Sequence, residues 1–191
     1  MFKLSVYKKI LIIFIIFLSS LFTCFYSYAT KNLVKYIEQN KTNVIFLRHT
    51  LAPGYGDPKN FKLSDCNTQR NLNEVGRKQA SLLGKYFLKN KIKFNEILTS
   101  EWCRCIETAE RLNLGKWKTF SGLNSFFQGF SKKNEVLQKL RNKLNTIDKK
   151  SLTLMITHQV VIAEITGIYT SSGGFVLYNT YNKTTKEILL N

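Results

Sequence analysis

The sequence predicts an α/β fold with a largely parallel central sheet. Three observations predict it. Short runs rich in β-forming residues recur at Val44–Leu47, Phe94–Leu98 and Leu152–Ile156. The first is continuously apolar, as suits a strand buried on both faces. Segments with helical signals separate these runs, and strands alternating with helices build a parallel sheet. The chain has 191 residues, 44% of them hydrophobic, which supplies one sizeable core and is short for two.

The elements follow in order. Lys3, Lys8 and Lys9 precede an apolar run from Ile10 to Phe22, and Ser27-Tyr28-Ala29 places small residues where a signal peptidase reads. Residues 1–29 therefore read as a secretory signal peptide cleaved after Ala29. An uncleaved anchor is the alternative, although the run is marginal against the roughly 20 apolar residues a spanning helix needs. Residues 30–191 would be the mature domain. Leu33-Val34 and Tyr36-Ile37 suggest a short lead-in helix, and Val44–Leu47 is the first strand. Thr50 to Gln69 is a loop broken by Pro53-Gly54, Gly56 and Asp57-Pro58, long enough to indicate function.

Asn73-Glu74 opens a helix to about Asn90, with Ala80, Leu83 and Phe87 on its apolar face. After the Phe94–Leu98 strand, Ser100 is a good N-cap for a helix through Leu112. Trp117 to Gly122 is weakly strand-like. Lys132 to Ile147 is amphipathic, with Val136, Leu140 and Leu144 four apart. Leu152–Ile156 is a strand and Val160 to Tyr169 a helix. Phe175–Tyr178 and Glu187–Leu190 suit a closing hairpin.

Composition narrows the function. An aromatic content of 13% argues against disorder. Without Lys3, Lys8 and Lys9, 26 basic residues face 12 acidic ones, a net charge of +14. The lysines are scattered and no nucleic-acid motif accompanies them, so compositional bias explains most of the charge, with mild attraction for anionic substrates. Of the four cysteines, Cys24 leaves with the signal. Cys103 and Cys105 lie two apart on a helix and point different ways. A bridge from Cys66 to either one is compatible with export. The cysteine spacing does not suit zinc, and the chain has only two histidines, His49 and His158. No metal or cofactor is expected.

In parallel sheets, ligands bind beyond the carboxyl ends of the strands. His49 and His158 each follow an apolar run by one or two residues, and Ser100 opens the helix that carries Arg104. Three strand ends thus deliver His49, Arg104 and His158 to one edge, with Arg48 beside them. Arginine holds phosphate through a planar, permanently charged fork. A neutral imidazole is a competent nucleophile towards phosphorus.

The sequence at this point resembles the histidine phosphatase (phosphoglycerate mutase-like) superfamily. Val44-Ile45-Phe46-Leu47-Arg48-His49-Thr50 is similar to its Arg-His signature at the end of the first strand. Leu72-Asn73-Glu74-Val75-Gly76-Arg77-Lys78-Gln79-Ala80 resembles its Leu-Thr-x-x-Gly-x-x-Gln-Ala helix start. Ser100 to Ala109 resembles its Ser-x-x-x-Arg-x-x-x-Thr-Ala segment, and Thr157-His158 its late His motif. The four motifs come in the family's order and reach from Val44 to about Gly167. The resemblance implies a three-layer α/β/α fold and phosphatase activity on a small phosphorylated substrate. It implies that His49 forms a phosphohistidine and that Arg48, Arg104 and His158 line the phosphate pocket, with Arg70 as a further contact. The loop from Leu51 to Arg70 resembles an exported bacterial subgroup, which implies a periplasmic protein free of the membrane once its signal is cleaved.

One departure is visible. Many members carry a carboxylate that protonates the leaving group, but Leu123-Asn124-Ser125-Phe126-Phe127 has none. Asp57, Asp65, Glu74 and Glu101 are the candidate substitutes. Lacking a donor, the site would favour good leaving groups. Cys105 stands where the family has a small buried residue, and Cys103 precedes the pocket arginine nearer the surface. The resemblance therefore implies a Cys66–Cys103 bridge that pins the long loop. The competing reading is a catalytically weak or inactive phosphate-binding protein of the same fold; a phosphoglycerate mutase fits poorly with export and with the length.

Overall fold

The structure is a computed structural model and describes residues 33–188. The expected signal peptide, with its cleavage site after Ala29, lies outside the described residues. Residues 33–39 are helical. The strands are β1 (Val44–Arg48), β2 (Glu96–Thr99), β3 (Lys118–Thr119), β4 (Thr153–Thr157), β5 (Phe175–Tyr178) and β6 (Thr185–Ile188). The helices that follow are α1 (Glu74–Lys89), α2 (Cys103–Leu112), α3 (Lys133–Asn145) and α4 (Gln159–Thr166).

One sheet has the order β3-β2-β4-β1-β5-β6. Strands β1 to β4 are parallel, β5 is antiparallel to both of its neighbours, and β6 therefore runs with β1. Only β5 is reversed, and the hairpin that follows it turns β6 back into the direction of β1. Side chains alternate across the sheet. Val44, Phe46, Leu98, Met155, Val176 and Tyr178 form one core with Leu140 and Leu144 of α3 and Val161 and Ile162 of α4. On the other face Phe87 of α1 meets Phe175, with ring centroids 5.5 Å apart. The result is the three-layer α/β/α arrangement.

Several boundaries follow from local chemistry. Asn73 caps α1, its Oδ1 accepting from the Gly76 N–H at 2.8 Å, while Glu74 and Lys89 sit at the ends that the helix dipole favours. The expected Ser100 cap is corrected: α2 begins at Cys103 and Trp102 holds the cap position. The Ser100 hydroxyl instead bonds Asn124 and His158. Helix α4 stops at Thr166, short of the expected Tyr169, because Gly167 turns left-handed at φ 73° and its N–H closes on the Ala163 carbonyl at 2.8 Å. The strand-like reading of Trp117 to Gly122 shrinks to Lys118–Thr119, followed by a 3₁₀ turn at Ser121–Leu123.

Candidate active site

The register of β1 on β4 pairs Arg48 with Thr157, so His49 and His158 leave adjacent strands at the same level. Their ring centroids lie 5.4 Å apart. Ser100 leaves β2 at the same edge, its N–H bonded to the Ile156 carbonyl at 2.9 Å. Both histidines and Arg104 are buried.

The motif residues brace this edge. Thr50 donates its N–H to Thr108 Oγ1 at 3.2 Å, and Thr108 donates to the Arg104 carbonyl at 2.7 Å, tying the end of β1 to α2. Gln79 accepts from the Leu51 N–H at 3.1 Å and donates to the Ser172 carbonyl at 2.8 Å. A Cβ at Gly76 would collide with the Leu51 carbonyl, so only glycine lets α1 approach there.

Arg104 is the hub, and the two edges of its guanidinium do different things. Nε donates to His49 Nε2 at 3.2 Å, and Nη2 lies 3.4 Å from His158 Nδ1. The opposite edge is clamped by Asp57, with Nη1 to Oδ1 at 2.8 Å and Nη2 to Oδ2 at 3.1 Å. Asp57 is itself fixed by the Arg70 N–H at 3.0 Å and Trp102 Nε1 at 3.1 Å. The Gln128 amide brackets its backbone, accepting from the Asp57 N–H at 2.7 Å and donating to its carbonyl at 3.2 Å. Arg48 donates to the Thr170 carbonyl at 2.9 Å, and among the described residues its buried Nε has no partner. Arg70 holds the Gly56 carbonyl at 2.8 Å and the Ala52 carbonyl, which keeps its charge beside the cluster.

Hydrogen bonding fixes the tautomer of the first histidine. His49 Nδ1 lies 2.8 Å from the Thr50 carbonyl, which can only accept, so Nδ1 carries the proton. Nε2 therefore holds the lone pair, aimed at the Arg104 Nε–H. Burial, then the charge of Arg104, holds both histidines well below the ordinary imidazole range, so both are neutral at pH 7. Burial alone would raise Asp57, but the Arg104 hydrogen bond and charge outweigh it and keep the carboxyl below its usual range. Burial lowers Arg48 and Arg70, as does Arg104 next to them. Three guanidiniums thus gather around the two histidines with one carboxylate, which among the described residues pairs with Arg104 alone, a net positive site suited to a multiply charged anion.

The four candidate acids are placed differently. Asp57 is in the site but ionised against Arg104. Asp65 caps a 3₁₀ turn, accepting from the Asn67 N–H at 3.0 Å. Glu74 is an exposed partner of Arg77, its side chain 88% accessible. Glu101 accepts from Asn124 Nδ2 at 2.5 Å. Cys66 and Cys103 form the expected bridge, with Cα atoms 5.7 Å apart, although Cys103 is buried rather than near the surface. Cys105 is a buried free thiol, pushed up by burial to about 12. Sequence reasoning missed the roles of Asn124 and Gln128. Gln128 carries no motif signal; Asn124 stood where a carboxylate was sought.

Residues 44–125 match the model of the histidine phosphatase superfamily, branch 1. No curated protein gives a significant match. Among solved structures, mycobacterial glucosyl-3-phosphoglycerate phosphatase in complex with VO3 is similar with a TM-score of 0.55 at 12% identity, over 78% of this chain and 98% of the other. The protein TTHB049 of Thermus thermophilus gives 0.52 at 14% identity, over 78% and 99%. The protein histidine phosphatase SixA complexed with tungstate gives 0.50 at 18% identity, over 76% and 94%. At these identities the structural likeness is one of fold.

Proposed function

We propose that this chain, which belongs to the histidine phosphatase superfamily, is an exported phosphatase that hydrolyses a small phosphorylated molecule through a phosphohistidine on His49. The observation that carries this reading is the aim of His49: Nδ1–H on the Thr50 carbonyl leaves the Nε2 lone pair directed into a cluster of guanidiniums. Nε2 attacks phosphorus and the ester P–O bond breaks. The Nε–Nη2 edge of Arg104 and the free Nε of Arg48 take the equatorial oxygens, where charge develops. Asp57 positions Arg104 rather than giving up a proton, since it is already ionised. Water then attacks the phosphohistidine and releases inorganic phosphate. Two solved neighbours carry tungstate and VO3, oxyanions of the kind such a site would take.

Export rests on the N-terminal pattern of Lys3, Lys8, Lys9 and Ser27-Tyr28-Ala29. The Cys66–Cys103 bridge supports it, because such bonds persist in oxidising compartments such as the periplasm. A mature N-terminus at Thr30 in protein recovered from the cell envelope is the expected result. The function is tested with 4-nitrophenyl phosphate: the wild type turns it over and His49→Ala does not. Anion binding without turnover would instead make the protein a phosphate-binding member of the fold.

A further inference from the structure

We infer that His158 is the missing acid, and that Ser100, Asn124 and Glu101 fix its tautomer so that Nδ1 exchanges a proton at the reacting phosphoryl group. The inference rests on the phosphatase reading above. It begins with a hydrogen-bond chain that leads away from the pocket. Glu101 Oε2 accepts from Asn124 Nδ2 at 2.5 Å, and the Glu101 N–H donates to Asn124 Oδ1 at 2.9 Å. The two bonds fix which end of the Asn124 amide is oxygen. Ser100 Oγ then donates to that oxygen at 3.1 Å. With its only proton committed, Ser100 Oγ accepts: from the Trp102 N–H at 3.3 Å, and from His158 Nε2 at 3.0 Å.

His158 therefore carries its proton on Nε2 and its lone pair on Nδ1, facing Arg104 Nη2 at 3.4 Å. The two histidines of the chain hold opposite tautomers. His49 shows Arg104 the lone pair of Nε2, and His158 shows it the lone pair of Nδ1. A phosphoryl group bound at the Nε–Nη2 edge of Arg104 meets the Nε2 lone pair of His49 and, beside it, the Nδ1 lone pair of His158 as a proton acceptor. The groups facing His158 are Arg104 and Cys105 from α2, Ser100 from the end of β2 and His49 from the end of β1, with the charges of Arg48 and Arg70 beyond them. Burial first, and then the positive charges of Arg104, Arg70 and Arg48, keep free His158 neutral, although the Asp57 carboxylate on Arg104 Nη2 offsets part of that charge. An arriving phosphate anion adds negative charge and raises the affinity of His158 for a proton.

The proton balance closes. The substrate enters as the monoester monoanion and passes its phosphate proton to His158 Nδ1. As the N–P bond forms on His49 and the P–O bond breaks, Nδ1–H gives that proton to the departing oxygen, which leaves as the alcohol. Water attacks the phosphohistidine, its proton returns to Nδ1, and phosphate departs with a proton from there. Neither a metal nor a carboxylate takes part in these transfers.

The test compares phenyl phosphate with 4-nitrophenyl phosphate, esters of similar shape and unequal leaving groups. His158→Gln is expected to slow phenyl phosphate by roughly 10²- to 10⁴-fold, and 4-nitrophenyl phosphate at least about tenfold less. For phenyl phosphate the wild-type kcat/KM should fall above about pH 6, where the monoanion gives way to the dianion, and His158→Gln should lose that dependence. Ser100→Ala, which keeps the imidazole, should shift leaving-group sensitivity in the same direction by a smaller factor. Nitrogen NMR of the wild type should show one histidine of each tautomer, and Asn124→Ala should turn His158 into a mixture. Equal slowing of both esters, or a His158 proton on Nδ1, overturns the acid role while leaving His49 as nucleophile. No turnover of either ester by the wild type overturns the phosphatase reading and the acid role together.

Discussion

Replacing Asp57 with asparagine removes the one negative charge that answers Arg104. The pair is buried, with side-chain accessibilities of 3% for Arg104 and 5% for Asp57. The Asp57 carboxylate accepts from both nitrogens of the guanidinium fork, from Trp102 Nε1 and from the Arg70 N–H. In the variant, one oxygen becomes an NH₂ that faces two donors. Breaking one side of a buried ion pair costs about 3–5 kcal/mol. For a chain of this size about 2–4 °C is lost per kcal/mol, so the melting temperature should fall by roughly 6–20 °C. Inorganic phosphate should recover part of that loss, because it brings Arg104 the charge that Asp57 supplied. Urea unfolding with and without phosphate measures both effects. Turnover should fall for good and poor leaving groups alike, since Arg104 loses its aim. A loss below about 1 kcal/mol, or a rate loss confined to poor leaving groups, would refute a positioning role for Asp57.

Other expectations follow from single features. Cys66 and Cys103 are 37 residues apart, and a loop of that length implies roughly 4 kcal/mol from the bridge in the chain-entropy model. Reduction or Cys66→Ser should lower stability by that order in denaturant titrations, and should weaken activity by loosening the loop that carries Asp57 and Arg70. The two buried histidines, held below their ordinary 6.5, leave the folded state short of protons relative to the unfolded chain as pH falls below that value. Stability should therefore decline below about pH 6.5, by up to ~1.4 kcal/mol per histidine per pH unit. Asp57, depressed by Arg104, adds a further loss as pH falls from its unfolded value near 3.8 through its folded one. A flat stability profile between pH 7 and 5 contradicts the histidine part. Gly84→Ala should cost about 1–3 kcal/mol, because its Cβ would strike the Leu112 carbonyl where α1 packs on α2; an unchanged urea midpoint contradicts that packing.

Much of this site was legible in the chain because it is local. An apolar run that ends in Arg48-His49, and another that ends before His158, need only the rule that parallel strands deliver ligand groups at their carboxyl ends. The Asn73 cap and the Ala80, Leu83 and Phe87 face of α1 are likewise read within one helix. Long-range pairings were not legible. Gln128 brackets Asp57 from 71 residues away, and Asn124 holds Ser100 from 24. Ser100 looked like a cap because it lies just before a helix, but its hydroxyl serves His158 and the helix starts three residues later. Gly167 was a readable stop for α4, overlooked because the apolar pattern runs on through Ile168. The Asp57–Arg104 pair spans 47 residues and depends on how a long loop folds over the site, which periodicity does not encode.

The account turns on His49 Nε2 as the atom that accepts the phosphoryl group. Its most direct test is rapid acid-free quenching of the wild-type enzyme during turnover of 4-nitrophenyl phosphate, followed by mass analysis of the peptide that carries His49. The account predicts one phosphoryl group on that peptide, labile to acid and absent from His49→Ala. Steady turnover with no phosphoryl group on His49, or a label on another residue, would contradict it.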